Sequence, residues 1–486
     1  GSKSFLITIG DRSVGGLTAR DQMVGPFQTP VSDNAVTLWD FKEFGGQVLS
    51  IGERSPIAIQ DPAAASGMTL GETILNLLAS YILDFKDIKL CANWMASCDI
   101  GEQDSKLYYA VKALALDLCP KLSLSIPVGK DSLSMKTQWV DENNNNNKVT
   151  SPVSLNLSAV AKTPDARISW EPTLDSNIND SVLVYINLSN NLKRMGGSIF
   201  TYEYKQFGGE VPRLEDVELL KKFFLASKKL HGFEIENNED KKLVHAYHDV
   251  SDGGLFTCLC EMAFAARVGI DINVDLLTID PNALDWGGYN IRPSQVMEMR
   301  EELTLKALFN EELGVVIQIS KEKRSKVLNI FRECGLGKFT YEIGKINNKD
   351  TIEIFRDAKS IFKKPRALLQ REWSENSINI CSIRDDILCV QEEEKNIYHS
   401  ESPEKTISVP TKLNKLLLDE SKTIQNSSKS KTEGLRPKIA ILREQGINGQ
   451  IEMAASFTTV GFDAHDIHMT DIINKKIDLS DYSGMA

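Results

Sequence analysis

The sequence lacks the features that mark several common classes of protein. Its eight cysteines form no C-x-x-C pair, which argues against a zinc site or a disulfide framework and for a reducing compartment. No apolar run reaches about 18 residues and no signal peptide opens the chain, so no membrane association is expected. A net charge of −11 leaves no basic face for a phosphate backbone, so nucleic acid is not an expected partner. Together these absences favour a cytoplasmic location.

Familiar catalytic motifs are missing as well. There is no G-x-S-x-G sequence, and the six histidines form no H-x-x-x-H pair, so neither a hydrolase triad nor a zinc-protease site is indicated. The segment "PVGKDSLSM" contains Gly129 and Lys130, as a phosphate-binding P-loop does. The glycine that such a loop needs five positions earlier is replaced by Leu124, so a P-loop is rejected.

What the chain does contain is a long alternation of strand-like and helical patterns. With 486 residues, 42% of them hydrophobic, it is long enough for two to four domains. In the first section, "SFLITIG", "DIKLCANWMA" and "SPVSLNLSAVAKT" read as strands, "GETILNLLASYIL" and "SKLYYAVKALALDLC" as helices, and "DENNNNNKV" as a solvated loop. The section that starts at "SVLVYINLS" alternates in the same way. The sequence therefore predicts two successive α/β layers.

The last hundred residues change in character. From about 390 to 435 the composition is polar and weakly periodic, as in a linker or surface wrap. Next come a strand pattern in "RPKIAILREQG", a helix pattern in "GQIEMAASFTTVGF" and a strand pattern in "AHDIHM". This order is the start of a parallel βαβ unit. We expect domains at 1–165 and 166–365, a helical and polar linker at 366–435, and a further domain that begins at 436–486.

The stretch "AYHDVSDGGLFTCLCEMAF", residues 246–264, combines a strand ending with polar residues and a glycine pair. Asp249 lies near the end of the strand pattern, and Gly253 and Gly254 stand where a helix begins. A glycine turn at a helix N-terminus favours anions, and an aspartate beside it calls for a cation between the two charges. The pattern therefore suggests a metal-bridged phosphate. The alternative is that Asp249, Ser251 and Asp252 simply cap the helix.

Further oxygen donors stand far away along the chain. Glu72 and Asn76 are four residues apart and project from one face of a helix, and Asp33 lies in the proline-led loop of "TPVSDNAVT". Magnesium takes few carboxylates and keeps waters and phosphate oxygens in its shell. These residues could therefore share such an ion with Asp249, although an ordinary polar helix face explains Glu72 and Asn76 equally well.

Six dense motifs together resemble one known family. They are "GDRSVGGLTARDQMVGPFQTPVSD", "IGERSP", "KLCANWMA", "IPVGKDSLSMKT", "AYHDVSDGGL" and "FNEELGVVIQI". In this order they resemble the long single-chain phosphoribosylformylglycinamidine synthases, over the second of two internally related synthetase halves. "RPKIAILREQGINGQIEMAASF" resembles the entry to the glutamine amidotransferase domain of that family. The resemblance implies an α/β (α+β) fold. Two domains like those of aminoimidazole ribonucleotide synthetase, the first of them barrel-forming, are followed by the truncated start of a class I glutaminase domain.

The resemblance also implies a set of site residues. Magnesium and an adenine nucleotide, ATP or ADP, would be held by the motif positions that correspond to Asp33, Glu72, Asn76 and Asp249. The positions of Ser32 and Ser251 would contact the nucleotide. In the family this half carries an auxiliary nucleotide that stabilises the fold, and the catalytic ATP site belongs to the first half.

The implied reaction converts formylglycinamide ribonucleotide into its amidine with ATP and glutamine-derived ammonia, in de novo purine biosynthesis. The last cysteine is Cys389, so we expect no catalytic residue here and a glutaminase cysteine beyond Ala486. On this reading the chain is a fragment, inactive alone, whose partner in cis is the missing N-terminal half. Two alternatives stay open. One is a non-catalytic nucleotide-binding module, and the other is another ATP-dependent member of the superfamily.

Overall fold

The computed structural model describes residues 1–12, 14–178, 180–232, 242–279, 293–399 and 436–486. In these residues the chain divides into two compact units. The larger comprises Gly1–Arg12, Ala19–Val36 and Phe44–Ser402, and the smaller comprises Ser13–Thr18, Thr37–Glu43 and Pro403–Ala486. Among the described helices, none has both the length and the apolarity that a membrane crossing requires.

The first eight strands precede residue 165. They are β1 Thr18–Arg20, β2 Ala35–Leu38, β3 Gly46–Glu53, β4 Lys89–Met95, β5 Ser125–Ser132, β6 Lys136–Val140, β7 Asn146–Thr150 and β8 Ser154–Thr163. Six of them form a sheet in the order β1-β2-β3-β8-β4-β5, while β6 and β7 pair as a separate hairpin. Strand β8 is antiparallel to β3 and β4, whereas β5 is parallel to β4.

The helices of this section are α1 Ser4–Leu6, α2 Ser55–Ala58, α3 Pro62–Leu77, α4 Gln103–Lys112 and α5 Cys119–Leu122. Two π-helical segments, Ile7–Asp11 and Ala113–Leu118, follow α1 and α4, and a 3₁₀ turn spans Phe85–Asp87.

Helix α3 is the element that carries two of the predicted ligands. The Asp61 side chain accepts a hydrogen bond from the Ala64 N–H and caps the helix, and Pro62 suits its first turn. The helix packs against β3 and β8. A Cβ on Gly52 of β3 would lie 2.4 Å from the Thr73 hydroxyl oxygen, so only glycine allows so close an approach of strand and helix. Nearly the whole helix is buried, including Glu72 and Asn76.

The second section builds a seven-stranded sheet. Its strands are β9 Ser181–Asn187, β10 Ala246–Asp249, β11 Gly269–Asn273, β12 Gly314–Ser320, β13 Thr340–Asn347, β14 Thr351–Arg356 and β15 Lys359–Pro365. Their order is β10-β12-β9-β13-β11-β14-β15, and only the β11–β14 pair among the described pairings of this sheet is parallel. Helices α6 Ile199–Glu203, α7 Val217–His231, α8 Gly254–Ala266, α9 Pro293–Phe309 and α10 Arg324–Glu333 belong to this section, with 3₁₀ turns at Asp275–Leu277 and Gly337–Phe339.

The core of this section lies between α8 and the sheet. Leu255, Leu259 and Met262 of α8 are buried in one cluster with Val316 and other sheet residues. Helix α8 also packs against α9 and against α11 Arg366–Arg384. Val250, in the turn between β10 and α8, belongs to the same cluster, so the core also fixes the junction of strand and helix.

Four helices and a three-stranded sheet complete the described part of the chain. Helix α12 Ile387–Asn396 packs on α11, so the expected linker 366–435 is helical in its first part, and its residues 400–435 lie outside the described residues. The last elements are β16 Lys438–Arg443, α13 Gln450–Thr459, β17 Asp463–His468, α14 Met469–Ile473, a 3₁₀ turn Leu479–Asp481 and β18 Gly484–Met485. Strands β17 and β18 both pair parallel to β16, which confirms the predicted parallel βαβ unit.

Two local predictions were wrong. "SFLITIG" is helical rather than extended, because α1 packs against α11 and the Ser2 N–H donates to the Trp373 carbonyl; a short apolar run is ambiguous until tertiary contacts decide it. The asparagine-rich segment is partly β7, which pairs with β6. The Asp141 carboxylate accepts the Asn143 and Asn145 N–H groups and shapes the tight turn between the strands.

Candidate functional site

Two of the predicted metal ligands meet directly, although 216 positions separate them in sequence. Asp33 lies in the loop before β2, and Asp249 is the last residue of β10. Oδ1 of Asp33 accepts a hydrogen bond of 3.1 Å from the Asp249 N–H and one of 2.8 Å from Nδ1 of His248. Ligand atoms of these three buried side chains all lie within 4.8 Å of one another. The second oxygen, Oδ2, of each aspartate is buried and has no hydrogen-bond partner among the described residues.

Glu72 and Asn76 face strand β3 from helix α3. Oε2 of Glu72 accepts a hydrogen bond of 2.8 Å from the Glu53 N–H, and Nδ2 of Asn76 donates one of 3.0 Å to the Ile51 carbonyl. Oδ1 of Asn76 is another buried oxygen that lacks a partner in the described part of the chain. Asn34 joins this helix to the loop of Asp33, since its Nδ2 donates to the Asn76 carbonyl at 3.0 Å.

The neighbouring carboxylates disfavour the ionised form of Asp249. Burial raises the pKa of Asp249 well above its ordinary value, and the Asp33 and Glu72 carboxylates raise it further. Burial likewise raises the pKa of Glu72, which reaches about 7 even though the Arg54 guanidinium acts in the opposite direction. Buried carboxylates that repel each other are what a bound cation stabilises.

The two serines flank this cluster. The Ser32 hydroxyl donates a hydrogen bond of 2.7 Å to the Asn34 carbonyl, and the Ser251 carbonyl accepts the Gly254 N–H at 2.9 Å. Both serines are half-buried. Ser32 therefore directly precedes Asp33, and Ser251 lies two residues after Asp249, in the turn that follows β10.

The glycine turn differs from the sequence-based interpretation. Gly253 and Gly254 have φ angles of +84° and +71° and lead into α8, as expected. Their N–H groups, however, do not point freely outward. The Gly253 N–H donates to Oε1 of Glu311 at 2.8 Å, and the Gly254 N–H donates to the Ser251 carbonyl. These two amides are therefore not free for a phosphate, because a protein carboxylate and a carbonyl accept their hydrogen bonds.

Three residues near the site were missed by sequence reasoning. The guanidinium of Arg54 is buried, with Nε 3.3 Å from Oε2 of Glu72 and Nη1 3.9 Å from Oδ1 of Asp252. Burial raises the pKa of Glu311 to about 7, although Arg54 opposes this rise. His248 is the third missed residue, and its Nδ1 is hydrogen-bonded to Oδ1 of Asp33. All three lie inside the motifs "IGERSP", "FNEELGVVIQI" and "AYHDVSDGGL". Membership of these motifs could have identified the three residues, whereas their spacing in the sequence could not.

The structure brings Asp33 and Asp249 together in one cluster of described residues, which Glu72 does not join. The oxygen types of all four predicted ligands suit a hard divalent cation. The four ligands offer carboxylate and amide oxygens, three of which are buried without a partner among the residues described. Such oxygens are the ligands that Mg²⁺ prefers in proteins. A cation there would also offset the mutual repulsion of the carboxylates. The arrangement can hold a metal ion and, through it, the oxygens of a phosphate chain.

Comparisons with known proteins agree with the predicted fold class. Residues 2–162 match the FGAR-AT PurM_N-like domain, residues 180–357 match the C-terminal domain of AIR synthase related proteins, and residues 436–486 match a CobB/CobQ-like glutamine amidotransferase domain. This succession confirms two synthetase-like domains followed by the start of a glutaminase domain.

Solved structures to which this chain is similar come from Thermotoga maritima. Its phosphoribosylformylglycinamidine synthase II is 14% identical, with a TM-score of 0.47, and the match covers 72% of this chain and 47% of that one. A complex of T. maritima PurL with ADP gives the same values.

A curated relative is much closer in sequence. Phosphoribosylformylglycinamidine synthase of Schizosaccharomyces pombe is 40% identical over 491 aligned residues, which cover 100% of this chain. The chain spans 34% of the length of that relative. With identity at this level along its whole length, and with three matched domains in order, the chain belongs to the phosphoribosylformylglycinamidine synthase family.

Proposed function

We propose that this chain forms the second synthetase half, and the start of the glutaminase domain, of a ligase that makes formylglycinamidine ribonucleotide. The whole enzyme uses ATP to phosphorylate the formamide oxygen of formylglycinamide ribonucleotide, and ammonia released from glutamine then displaces the phosphate. The 40% identity over the whole chain supports the family reaction. The observation that carries the role of this half is the buried contact between Asp33 and Asp249, each with an oxygen that has no hydrogen-bond partner among the described residues.

This half binds Mg²⁺ and an adenine nucleotide, ATP or ADP. The proposed ligands of the ion are Asp33, Glu72, Asn76 and Asp249. The ion supplies positive charge that neutralises and orients the phosphates. Ser32, which precedes Asp33, and Ser251, which lies two residues after Asp249, contact the nucleotide.

The protein's own residues prepare this site. Arg54 lies beside Glu72 and Asp252 and donates from Nη2 to the Val250 carbonyl at 3.2 Å. It thereby ties helix α3 to the turn after β10. Glu311 holds the same turn through the Gly253 N–H and also accepts the Ile199 N–H at 2.9 Å. The ligands are thus preorganised from three separate parts of the chain, which lowers the cost of ordering them when the ion binds.

The bound nucleotide is auxiliary and stabilises the fold. A ligand present at about 100 times its dissociation constant adds about 2.7 kcal/mol to the free energy of unfolding. The substrate, the ammonia and the preceding synthetase half are partners of the whole enzyme, which works in the cytoplasm.

Nucleotide content tests the binding role directly. The purified protein is denatured, and the released small molecules and metals are measured by mass spectrometry. We expect ADP or ATP together with magnesium from the wild type, and little of either from Glu72→Ala or Asp249→Ala. Glu142→Ala, at an exposed position in the β6–β7 turn, is the matched control and retains both. Wild-type nucleotide content in Glu72→Ala and Asp249→Ala would refute the assignment of the ligands.

A chimera tests the enzymatic role. This chain replaces the corresponding third of the curated relative, and the product amidine is assayed with formylglycinamide ribonucleotide, ATP and glutamine. We expect turnover by the chimera and a strong loss in its Asp249→Ala variant. A well-folded chimera without turnover would contradict the proposal that this chain serves the ligase reaction.

A further inference from the structure

We propose that Trp373, Glu261 and His248 form a positioning chain that holds Asp33 as a one-oxygen ligand and makes the metal site selective for Mg²⁺ over Ca²⁺. This inference rests on the proposed metal site and extends it to three residues that neither the sequence motifs nor the family resemblance assigned a role.

The positioning chain from Trp373 through Glu261 to His248 is continuous in the structure. Nε1 of Trp373 donates to Oε1 of Glu261 at 2.9 Å, and Nε2 of His248 lies at hydrogen-bond distance, 3.0 Å, from Oε2 of the same carboxylate. Nδ1 of His248 then donates to Oδ1 of Asp33 at 2.8 Å. Both oxygens of Glu261 and both ring nitrogens of His248 are thereby engaged. Each link fixes the orientation of the next side chain.

This positioning chain is anchored in the hydrophobic core at its Trp373 end. Trp373 lies on α11 and packs against the core cluster that contains Phe264, with ring centroids 5.6 Å apart. Glu261 lies on α8, and His248 is a buried residue of β10. Three elements therefore determine the position of the Asp33 carboxylate, which itself belongs to a loop. A loop residue gains in this way the precision of a ligand built on helices and strands.

The consequence for Asp33 is a division of labour between its two oxygens. Oδ1 already accepts two hydrogen bonds, one from His248 and one from the Asp249 N–H. Oδ2 is buried and has no partner in the described structure. Asp33 can therefore offer a metal one oxygen, and it cannot turn to offer both unless it gives up these bonds.

One-oxygen coordination distinguishes the two biological divalent cations. Mg²⁺ is small and demands near-octahedral geometry at about 2.0–2.1 Å, whereas Ca²⁺ takes about six to eight oxygens and often binds carboxylates through both of them. A site whose carboxylate is tied down suits Mg²⁺, and release of the tie lets the carboxylate swing to the bidentate geometry that suits Ca²⁺. A chain that merely satisfies a buried histidine would affect stability without this difference between ions.

The test compares the affinities for Mg²⁺ and Ca²⁺ by calorimetric titration of wild-type protein and of Trp373→Phe, each first stripped of bound metal and nucleotide. Trp373→Phe keeps an aromatic ring and removes the N–H donor, and the control below loses the same side-chain volume. We expect the dissociation constant for Mg²⁺ to rise about 10-fold, the lower end of the usual effect of such supporting residues. The constant for Ca²⁺ changes by less than about twofold, because a freed carboxylate compensates. Trp170→Phe is the matched control; this indole stacks on His231 with centroids 3.5 Å apart, and its loss leaves both constants unchanged.

The outcomes separate this inference from the proposed function. If the dissociation constants for both ions change equally in Trp373→Phe, or if neither changes, the positioning chain is overturned. Mg²⁺ binding by the wild type would still uphold the metal site in that case. A wild type that binds neither ion overturns the site and the chain together. Glu261→Gln, which leaves only one oxygen to accept two donors, is the second variant should Trp373→Phe fold poorly, and it must show the same preferential loss of Mg²⁺ affinity.

Discussion

At the scale of single residues, the candidate site contains buried carboxylates that suit cation binding better than they suit the stability of the metal-free fold. Asp249 is buried beside Asp33, and the charges of Asp33 and Glu72 disfavour its ionised form. Removal of that charge should therefore help the protein when no metal is present and harm it when metal is needed.

The isosteric change Asp249→Asn should act with opposite signs in the two conditions. In EDTA we expect the thermal midpoint to rise by a few degrees, since about 1 kcal/mol shifts the midpoint of a large domain by about 2–4 °C. In Mg²⁺ and ADP we expect the midpoint to fall below that of the wild type. Differential scanning calorimetry measures both. Asp131→Asn, on the exposed strand β5, should change neither, and a fall of the Asp249→Asn midpoint in EDTA would contradict the argument from repulsion.

His231 should make the fold sensitive to acid. Its Nε2 lies 3.2 Å from the Leu78 carbonyl and its ring stacks on Trp170, and burial lowers its pKa to about 3. The unfolded chain takes up the proton near pH 6.5 and the folded chain does not, so stability is full above about pH 6.5 and falls as the pH drops towards 3. At pH 5 this proton-linked term in the free energy of unfolding amounts to a loss of about 2 kcal/mol.

The variant His231→Phe removes that term and keeps a ring in the stack. We expect the loss in free energy of unfolding between pH 7 and pH 5, measured by urea titration, to be smaller than in the wild type by about 2 kcal/mol. An unchanged loss would show that His231 titrates normally in the folded protein.

Spacing and family motifs pointed to Asp33, Glu72, Asn76 and Asp249, but could not give their partners. The contact between Asp33 and His248 spans 215 positions, and no local pattern announces such a pair. Arg54 is similar, because a lone arginine after a strand reads as a surface residue until its burial is known.

At the scale of elements, periodic segments were predictable and ambiguous ones were not. Strands β4 and β8 follow their patterns because buried positions alternate along them. Helix α3 and strands β9 and β10 are largely apolar segments that are buried nearly throughout. The N-terminal segment and the β6–β7 hairpin departed from prediction where packing or turn geometry overruled local preference.

The junction of β10 and α8 should require glycine at position 254 for two reasons: its positive φ angle and the lack of space for a side chain. A Cβ there would lie 2.5 Å from the Asn310 carbonyl oxygen and 2.8 Å from that of Leu308. Gly101 also has a positive φ, +58°, but open space around it. We expect Gly101→Ala to cost about 1–2 kcal/mol of backbone strain, and Gly254→Ala to cost a further 1–3 kcal/mol, roughly, from overpacking. Equal urea midpoints for the two variants would contradict this account of the junction.

At the scale of the whole molecule, the chain spans about a third of its curated relative, and one edge of its first sheet carries apolar side chains in the open. Val128 of the edge strand β5 is 59% exposed. An edge strand of this kind invites pairing with another element, and we propose that the preceding synthetase half covers it.

Val128→Glu separates folding from that association. In this chain alone we expect the free energy of unfolding to change by less than about 0.5 kcal/mol, as for other surface substitutions. In the chimera with the relative we expect a clear loss of turnover or of soluble yield. Full turnover and yield in the chimera would place the partner half elsewhere.

The central claim is that oxygens from Asp33, Glu72, Asn76 and Asp249 surround one divalent cation. Anomalous diffraction from crystals grown with Mn²⁺ in place of Mg²⁺ tests it most directly. The account predicts a strong peak about 2.0–2.3 Å from Oδ2 of Asp33 and of Asp249, with Glu72 and Asn76 in the same shell. A bound manganese elsewhere, with these two oxygens still without a ligand, would contradict it.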